Sequence, residues 1–232
     1  MKRVLVVEDE AAIREFVVIN LKKSGFDVRE AASGEEAIQV FIEEKGNFHV
    51  ALLDIMMPGI DGLTVCKELR AASSRLGIIM LTAKAQENDK INGLSQGADD
   101  YITKPFSPSE LVARVTSLCR RVEVNSEQTA TVTEEIIQGD FALNLRRRGL
   151  SKNGVPIELT QVEFQIMEYF FSNQGKPLDR SDILRRVWGD SYYGEEKIVD
   201  VNIRRLRMKI EDEPSNPSHI VTVWGRGYKW QV

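Results

Sequence analysis

Residues 49–62 read HVALLDIMMPGIDG, from His49 to Gly62. Val50-Ala51-Leu52-Leu53 is a short apolar run without alternation, bounded by turn residues. Such a run predicts a strand covered on both faces. Asp54 closes it. A carboxylate there leaves the buried strand at the carboxyl edge of an open α/β sheet, where such sheets place their ligands. Pro58-Gly59 and Asp61-Gly62 then mark a turn before the next helix. An Asp at a strand end is also an ordinary solvated residue or helix cap, so its meaning depends on what the neighbouring strands set beside it.

Working outward, Val4-Leu5-Val6-Val7 predicts a second buried strand, with Glu8-Asp9-Glu10 at its exit. Residues 11–24 fit a helix with Ile13, Phe16, Val17 and Leu21 on the apolar face, closed by Gly25. A short strand over 27–30 precedes a helix over about 34–45. Residues 63–72 read as helix, and Ile78-Ile79-Met80-Leu81 as a buried strand ending in Thr82. A loosely held helix over 85–96 follows, then the short strand Tyr101-Ile102, then Lys104-Pro105 and a helix over 108–121. Five strand–helix alternations predict a doubly wound five-stranded parallel sheet, the flavodoxin-like α/β architecture. Right-handed crossovers put every strand's carboxyl end on one side. Glu8, Asp9, Asp54, Thr82 and Lys104 all fall there.

That set has a coherent chemistry. Three carboxylates packed together repel one another unless a cation neutralises them. An all-oxygen cluster suits Mg²⁺, which shares its shell with water and phosphate oxygens. A carboxylate can attack phosphorus to form an aspartyl phosphate. A Lys ammonium then stabilises charge on the transferred group, and a Thr hydroxyl one strand away can hydrogen-bond its oxygens.

The bulk numbers fit an ordinary globular protein: 232 residues, 42% hydrophobic and 28% charged. No apolar run approaches the roughly 18 residues of a membrane span, and the N-terminus is too short for a signal peptide. The two cysteines, Cys66 and Cys119, lack CxxC spacing and predict thiols in a reducing cytoplasm. His49 and His219 stand apart, which argues against a His-based metal site. A net charge of −4 argues against a generally basic nucleic-acid coat, so DNA binding must come from local clustering.

Residues 1–121 resemble a bacterial receiver domain. The resemblance rests on Glu8-Asp9, the Asp54-x-x-Met57-Pro58-x-x-Asp61-Gly62 run, Thr82-Ala83, Gly97-Ala98-Asp99-Asp100-Tyr101 and Lys104-Pro105-Phe106. It implies phosphorylation of Asp54 by a sensor histidine kinase, with Glu8, Asp9, Asp54 and the Met56 carbonyl around Mg²⁺. It also implies Thr82 and Tyr101 as a switch pair, Lys104 as the phosphate-binding lysine, and a cis Lys104–Pro105 peptide. The acidic pair is Glu-Asp where the family often has Asp-Asp.

Residues 122–133 are polar, without a helical stripe, and read as a linker. In residues 134–232 acidic and basic side chains balance, so pattern must carry the reading. Short β-runs over 136–159 are broken by Gly139, Gly149 and Asn153-Gly154, the last a hairpin signal. Thr160 with Glu163 forms a capping box ahead of a helix over 161–172. Ser181 is the expected cap of a second helix ending at Trp188-Gly189. A third helix runs over 197–210, with Val199, Ile203, Leu206 and Ile210 facing the core and Lys197, Arg204, Arg205, Arg207 and Lys209 largely off that stripe. A cationic outer face suits a major groove, although many solvated helices look the same. Ile220 to Trp230 predicts a hairpin with Arg226 near its tip.

Thr160-x-x-Glu163-Phe164, Arg185-x-Val187-Trp188-Gly189, the 199–209 run and Gly225-x-Gly227-Tyr228 resemble the winged helix-turn-helix domain of the OmpR/PhoB family, a smaller α+β domain. The resemblance implies that Ile198, Val201 and Arg205 face bases. Lys197, Asn202, Arg204 and Arg207 would touch phosphates, and Trp188 would pack at the DNA backbone. A frequent family form has Arg before the first wing Gly. Trp224 stands there and Arg226 follows, which leaves open which of them enters a minor groove.

Together the resemblances imply a phosphorylation-controlled transcription factor. It would form a homodimer on phosphorylation and bind direct-repeat half-sites, with RNA polymerase as a further partner. The family's dimer face uses the fourth helix, fifth strand and fifth helix, where Lys90 would pair with Glu110, Asp100 with Arg114, and Asp99 with Arg121. Two other classes compete. A haloacid-dehalogenase-type phosphatase needs a second Asp where Met56 stands, so turnover beyond slow self-dephosphorylation is not expected. A flavodoxin-like cofactor binder needs a phosphate-cradling loop where Glu8-Asp9-Glu10 would repel an anion.

Overall fold

The computed structural model describes residues 1–83, 97–123, 135–190, 192 and 194–232, with the side chains of 121–123 excepted. The predicted helix over 85–96, with Lys90, and residues 124–133 of the linker predicted over 122–133 lie outside these residues, as does the Arg121 side chain; residues 122 and 123 instead continue the helix Pro108–Glu123. The chain divides into two compact units, Met1–Glu123 and Val124–Val232.

The first unit is built on β1 (Arg3–Val7), β2 (Asp27–Ala31), β3 (Val50–Asp54), β4 (Gly77–Ala83) and β5 (Asp100–Lys104). They form one parallel sheet in the order β2-β1-β3-β4-β5. The order reverses between β1 and β3, so their carboxyl ends flank a crevice at the topological switch point. β3 is buried along its whole length, as a strand covered on both faces must be. The helices are α1 (Ala11–Lys23), α2 (Gly34–Glu43), α3 (Gly62–Ala72) and α4 (Pro108–Glu123). α1 packs against α4, and α2 against α3. Val17 and Leu21 of α1 are buried, but Phe16 is 38% exposed and meets Phe106, ring centroids 6.2 Å apart. Its expected place in the core is taken by Val17 and Val18, so Phe16 lies on the helix's outer shoulder.

Register aligns the strand ends. Val7 pairs with Leu53, Asp54 with Leu81, and Ala83 with Lys104. The residue after β1, the last of β3, the end of β4 and the last of β5 therefore share one rim.

The second unit opens with an antiparallel sheet of β6 (Glu135–Gln138), β7 (Phe141–Asn144), β8 (Gly149–Lys152) and β9 (Val155–Ile157). Asn153 and Gly154 turn the β8–β9 hairpin at φ 52° and 78°, the two positive angles a type I′ turn requires. Then come α5 (Gln161–Phe171), β10 (Pro177–Asp179), α6 (Arg180–Trp188), α7 (Lys197–Ile210), β11 (Ile220–Val223) and β12 (Gly227–Trp230). β10, β12 and β11 form a three-stranded sheet. Trp230 is fully buried, with Phe141 edge-on at 5.2 Å and Phe171 at 5.2 Å. The expected capping box of α5 is present in both directions. The α6 cap is Asp179 rather than Ser181, and it makes no capping bond because its carboxylate is engaged by Arg226. Among the described residues no helix is long and apolar enough to cross a membrane.

Candidate functional site

The rim of the parallel sheet gathers the expected acids. Glu8, Asp9 and Asp54 each offer a carboxylate oxygen within 4.8 Å of the others'. Glu8 and Asp54 are buried and Asp9 is exposed. Lys104 reaches across from β5, with Nζ 2.7 Å from Glu8 Oε2 and 3.0 Å from Asp54 Oδ2. One ammonium thus serves two carboxylates. Burial pushes the Glu8 carboxyl up to about 7, and the charge of Asp54 adds to this against the opposing hydrogen bond from Lys104. Burial alone would lower the Lys104 ammonium, but its bond to Glu8 and the charges of Asp54 and Glu8 outweigh that and raise it. Glu8 Oε1 is buried with no hydrogen-bond partner. A buried acceptor with a spare lone pair is a vacancy for a cation or donor.

Thr82 is buried one strand over, its hydroxyl donating to the Ala83 carbonyl at a long 3.3 Å. Tyr101 is buried on β5. Met56 presents an exposed side chain in the loop after β3. The Lys104–Pro105 peptide is cis.

Three residues support this rim, and two of them, Arg14 and Glu35, escape the sequence patterns. Arg14 of α1 donates to the Glu8 carbonyl at 2.7 Å and to the Asp9 carbonyl at 3.3 Å, fixing the acidic pair from behind. Glu35 of α2 accepts from the Ile60 N–H at 3.0 Å, and this contact and its own backbone amide hold its carboxyl below the usual range. Gly62 lies directly under Asp54: a Cβ there would sit 1.8 Å from the Asp54 carbonyl oxygen. Asp61-Gly62 offered a sequence signal as a turn, confirmed as a helix start by Asp61 Oδ1 accepting from the Thr64 N–H at 2.8 Å. Arg14 and Glu35 offered none, because each acts on a backbone group that any residue would offer.

Among the residues expected at a dimer face, Asp99, Asp100 and Arg114 have partners within the chain. Asp99 is wholly buried, its Oδ2 accepting from Arg70 Nη2 at 2.7 Å and from the Ile78 N–H at 2.9 Å. Its place at the entry of β5 brings it to Arg70 of α3. Asp100 and Arg114 do pair, at 3.0 Å, but within this chain, and Arg114 also holds Glu110 at 2.8 Å.

In the second unit α7 corrects the expected groove contacts. Ile198 and Asn202 are fully buried and Val201 nearly so, as is Trp188. α7 packs against both α5 and α6, so its buried stripe is wider than one apolar face. Asn202 is accommodated there because its side-chain amide donates to the Ile198 carbonyl at 2.9 Å. Arg205 is buried too, its Nη2 3.0 Å from Glu163 Oε1, while Lys209 Nζ meets Glu163 Oε2 at 2.7 Å. Burial would raise the Glu163 carboxyl, but Arg205 and Lys209 reverse this and hold it below the usual range. Lys197 and Arg204 are exposed. Arg207 is half-buried and donates to the Ile220 carbonyl and Thr222 Oγ1 of the wing at 2.6 Å and 2.9 Å. At the wing turn Trp224 is 91% exposed.

Comparison with known proteins agrees with both units. Residues 4–116 match the response regulator receiver domain, and residues 154–230 match the C-terminal domain of transcriptional regulatory proteins. The response regulator DrrB, an OmpR/PhoB homologue of Thermotoga maritima, is 31% identical with all of both chains covered, at a TM-score of 0.51. A cysteine-to-serine mutant of RitR shares the fold at 24% identity, covering 100% of this chain and 99% of its own, at a TM-score of 0.78. A receiver domain from Clostridium thermocellum is 24% identical over 53% of this chain and 98% of its own, at a TM-score of 0.51. A receiver implies a histidine kinase partner, and the C-terminal domain implies DNA. The chain belongs to the OmpR/PhoB family of two-component response regulators and is a transcription factor.

Proposed function

We propose that a sensor histidine kinase phosphorylates Asp54 and that this controls dimerisation and DNA binding. The observation that carries the reading is Lys104 held between Asp54 and Glu8, with Nζ–oxygen distances of 3.0 Å and 2.7 Å. An Asp54 carboxylate oxygen attacks phosphorus, the bond to the kinase's histidine nitrogen breaks, and the imidazole leaves with the electron pair. The Lys104 ammonium is already in contact with the nucleophile and turns to the phosphoryl oxygens as they arrive. Thr82 trades its long bond to Ala83 for one of those oxygens, and Tyr101 follows it, biasing a pre-existing equilibrium. The receiver acts as phosphoacceptor, with at most slow self-dephosphorylation.

Glu8, Asp9, Asp54 and the Met56 carbonyl would hold Mg²⁺. The all-oxygen donors within 4.8 Å and the unpartnered Glu8 Oε1 fit it. Bound there, the ion would offset charge on the transferred group. Exposed Phe16, set against half-buried Phe106, supplies an apolar contact for the kinase.

The receiver, read from the sequence as 1–121, extends with α4 to Glu123 and is joined by the rest of the linker to the DNA-binding domain over 134–232. Two receivers associate through the face carrying Lys90, Asp99, Asp100, Glu110, Arg114 and Arg121. Asp100 and Arg114 pair within the chain and would exchange partners across this face, whereas Asp99, buried against Arg70, would support it from within. Association presents two winged helices to direct-repeat half-sites and to RNA polymerase. Lys197 and Arg204 are exposed cations of α7 for phosphates, while Lys209, also exposed, is held by Glu163. The test is DNA binding by the full chain with and without beryllofluoride and Mg²⁺, using duplexes selected from random sequence and an Asp54→Ala control. Tighter binding with the mimic, lost in Asp54→Ala, supports the reading. Equal binding in all three samples removes phosphorylation control at Asp54.

A further inference from the structure

We propose that Trp224, not Arg226, is the wing residue that enters the DNA. Its indole lies against the sugar walls of the minor groove, while Arg226 fixes the wing's direction through Asp179. The inference rests on the DNA-binding reading above and deepens it.

The wing turn is Trp224-Gly225-Arg226, closed by the Val223–Gly227 pair and by the Arg226 N–H donating to the Val223 carbonyl at 3.0 Å. Gly225 takes φ 75°, which lets the turn stay tight. Trp188 and Trp230 are buried in the core, whereas Trp224 is 91% exposed and covers nothing. A lone exposed apolar residue is ordinary by itself. What gives this one meaning is the behaviour of its neighbour and the stiffness of its support.

Arg226 folds back toward the root of the wing. Its Nε lies 3.1 Å from Asp179 Oδ1, and its carbonyl accepts from Arg180 Nη1 at 3.3 Å. To reach into a groove it would have to give up that ion pair. Trp224 gives up nothing. The root itself is braced. A Cβ on Gly227 would sit 2.2 Å from the Leu178 carbonyl oxygen, so β10 backs the hairpin at van der Waals range. The Tyr228 hydroxyl donates to Asp200 Oδ1 of α7 at 2.6 Å, and Arg180 Nε pairs with the same oxygen at 2.7 Å. Arg207 ties α7 to Ile220 and Thr222 of β11. The indole is thus carried at a fixed offset from the helix that bears Lys197 and Arg204. When a recognition helix occupies a major groove, a hairpin wing beside it overlies the adjoining minor groove, where apolar side chains act as wedges. A flat indole suits such a wall and displaces no counterion.

The two candidates differ in salt dependence. A cation on phosphate contributes about 0.9 to the slope of log K against log salt, and an indole contributes none. The experiment uses the full chain with beryllofluoride and Mg²⁺, and a duplex recovered by selection from random sequence, titrated at several salt concentrations. Trp224→Ala is expected to weaken binding about tenfold at every salt concentration, with the slope unchanged. Trp224→Phe keeps most of the affinity, and Arg226→Ala loses less than about threefold. Since the other two tryptophans are buried, the red-shifted emission belongs to Trp224 and should be quenched by the duplex. The exposed position predicts an unchanged Tm for Trp224→Ala, which separates contact from folding. Wild-type affinity in Trp224→Ala overturns the proposal, as does a tenfold loss with a reduced slope in Arg226→Ala. If Arg204→Ala weakens binding while Trp224→Ala does not, the wing assignment alone falls. If the wild-type chain selects no duplex, the DNA-binding reading falls and takes this one with it.

Discussion

Glu163→Ala should destabilise the C-terminal unit by about 3–4 kcal/mol, the range for stranding a buried charge. Three groups converge on this one carboxylate: the Thr160 N–H and Lys209 Nζ donate to Oε2 at 2.8 Å and 2.7 Å, and the Arg205 guanidinium is ion-paired, with Nη2 3.0 Å from Oε1. Their losses are unequal. Lys209 also donates to the Glu158 carbonyl at 2.9 Å and has a side chain 34% exposed, so it relaxes into solvent. The Arg205 side chain is only 9% exposed, so its largely desolvated charge dominates the penalty. Losing the reciprocal cap adds about 1 kcal/mol at the start of α5. For a unit of this size the sum lowers Tm by more than about 10 °C. The assay is thermal or urea unfolding of the full chain followed by tryptophan emission, which reports this unit alone because Trp188, Trp224 and Trp230 all lie in it.

Acid should erase the difference. The Glu163 carboxyl is held below its ordinary value in the fold. The unfolded chain therefore takes up the proton first as pH falls, and the carboxylate's contribution is present above about pH 4.5 and lost below it. The wild-type advantage over Glu163→Ala should shrink through that window. Replacing both partners, Glu163→Leu with Arg205→Met, should recover much of the single-variant loss, since a buried pair exchanged for apolar groups is often neutral. A single-variant loss under about 1 kcal/mol, or a double variant no better than the single, would refute the reasoning.

Other outcomes follow from the receiver unit. Gly62→Ala drives a Cβ to 1.8 Å from the Asp54 carbonyl oxygen, so it should lower the Tm of the first unit and abolish the response to beryllofluoride, read by DNA binding. Arg70→Ala removes the cation from wholly buried Asp99. It should destabilise the first unit by about 3 kcal/mol, and Arg70→Lys should restore only part of that in urea titrations followed by circular dichroism. Phe16→Ser, on the exposed edge of α1, should slow phosphotransfer from the kinase while leaving phosphorylation by a small-molecule phosphodonor unchanged. Equal slowing with both donors would place Phe16 in folding rather than docking.

These predictions lean on residues that the sequence pattern could not assign, and the reason is specific. Period and position were legible. The apolar run before Asp54 became a strand buried along its length, and Asn153-Gly154 became a two-residue turn with two positive φ angles. Thr160 and Glu163 became a reciprocal cap. Each of those signals is local, carried by residues within a few positions of one another. Partner choice is not local. Arg204 and Arg205 are adjacent and chemically identical, yet one is exposed and the other is buried against Glu163, more than forty positions earlier. Asp99 and Asp100 are likewise adjacent, and strand alternation sends them to opposite sides: Asp99 to Arg70 of α3 and Asp100 to Arg114 of α4. A helical wheel marks Arg205 as polar and therefore outward. It omits that a buried carboxylate already waits for it on α5, and a buried acid is stable only with such a partner. Glu163 acts twice, as the local cap that the sequence announces and as the distant anchor that draws Arg205 inward and leaves Arg204 exposed. The same division applies at the rim of the parallel sheet. The acids, Thr82 and Lys104 are found by counting to strand ends, whereas Arg14 and Glu35 hold the loops around them through backbone atoms that any residue would offer.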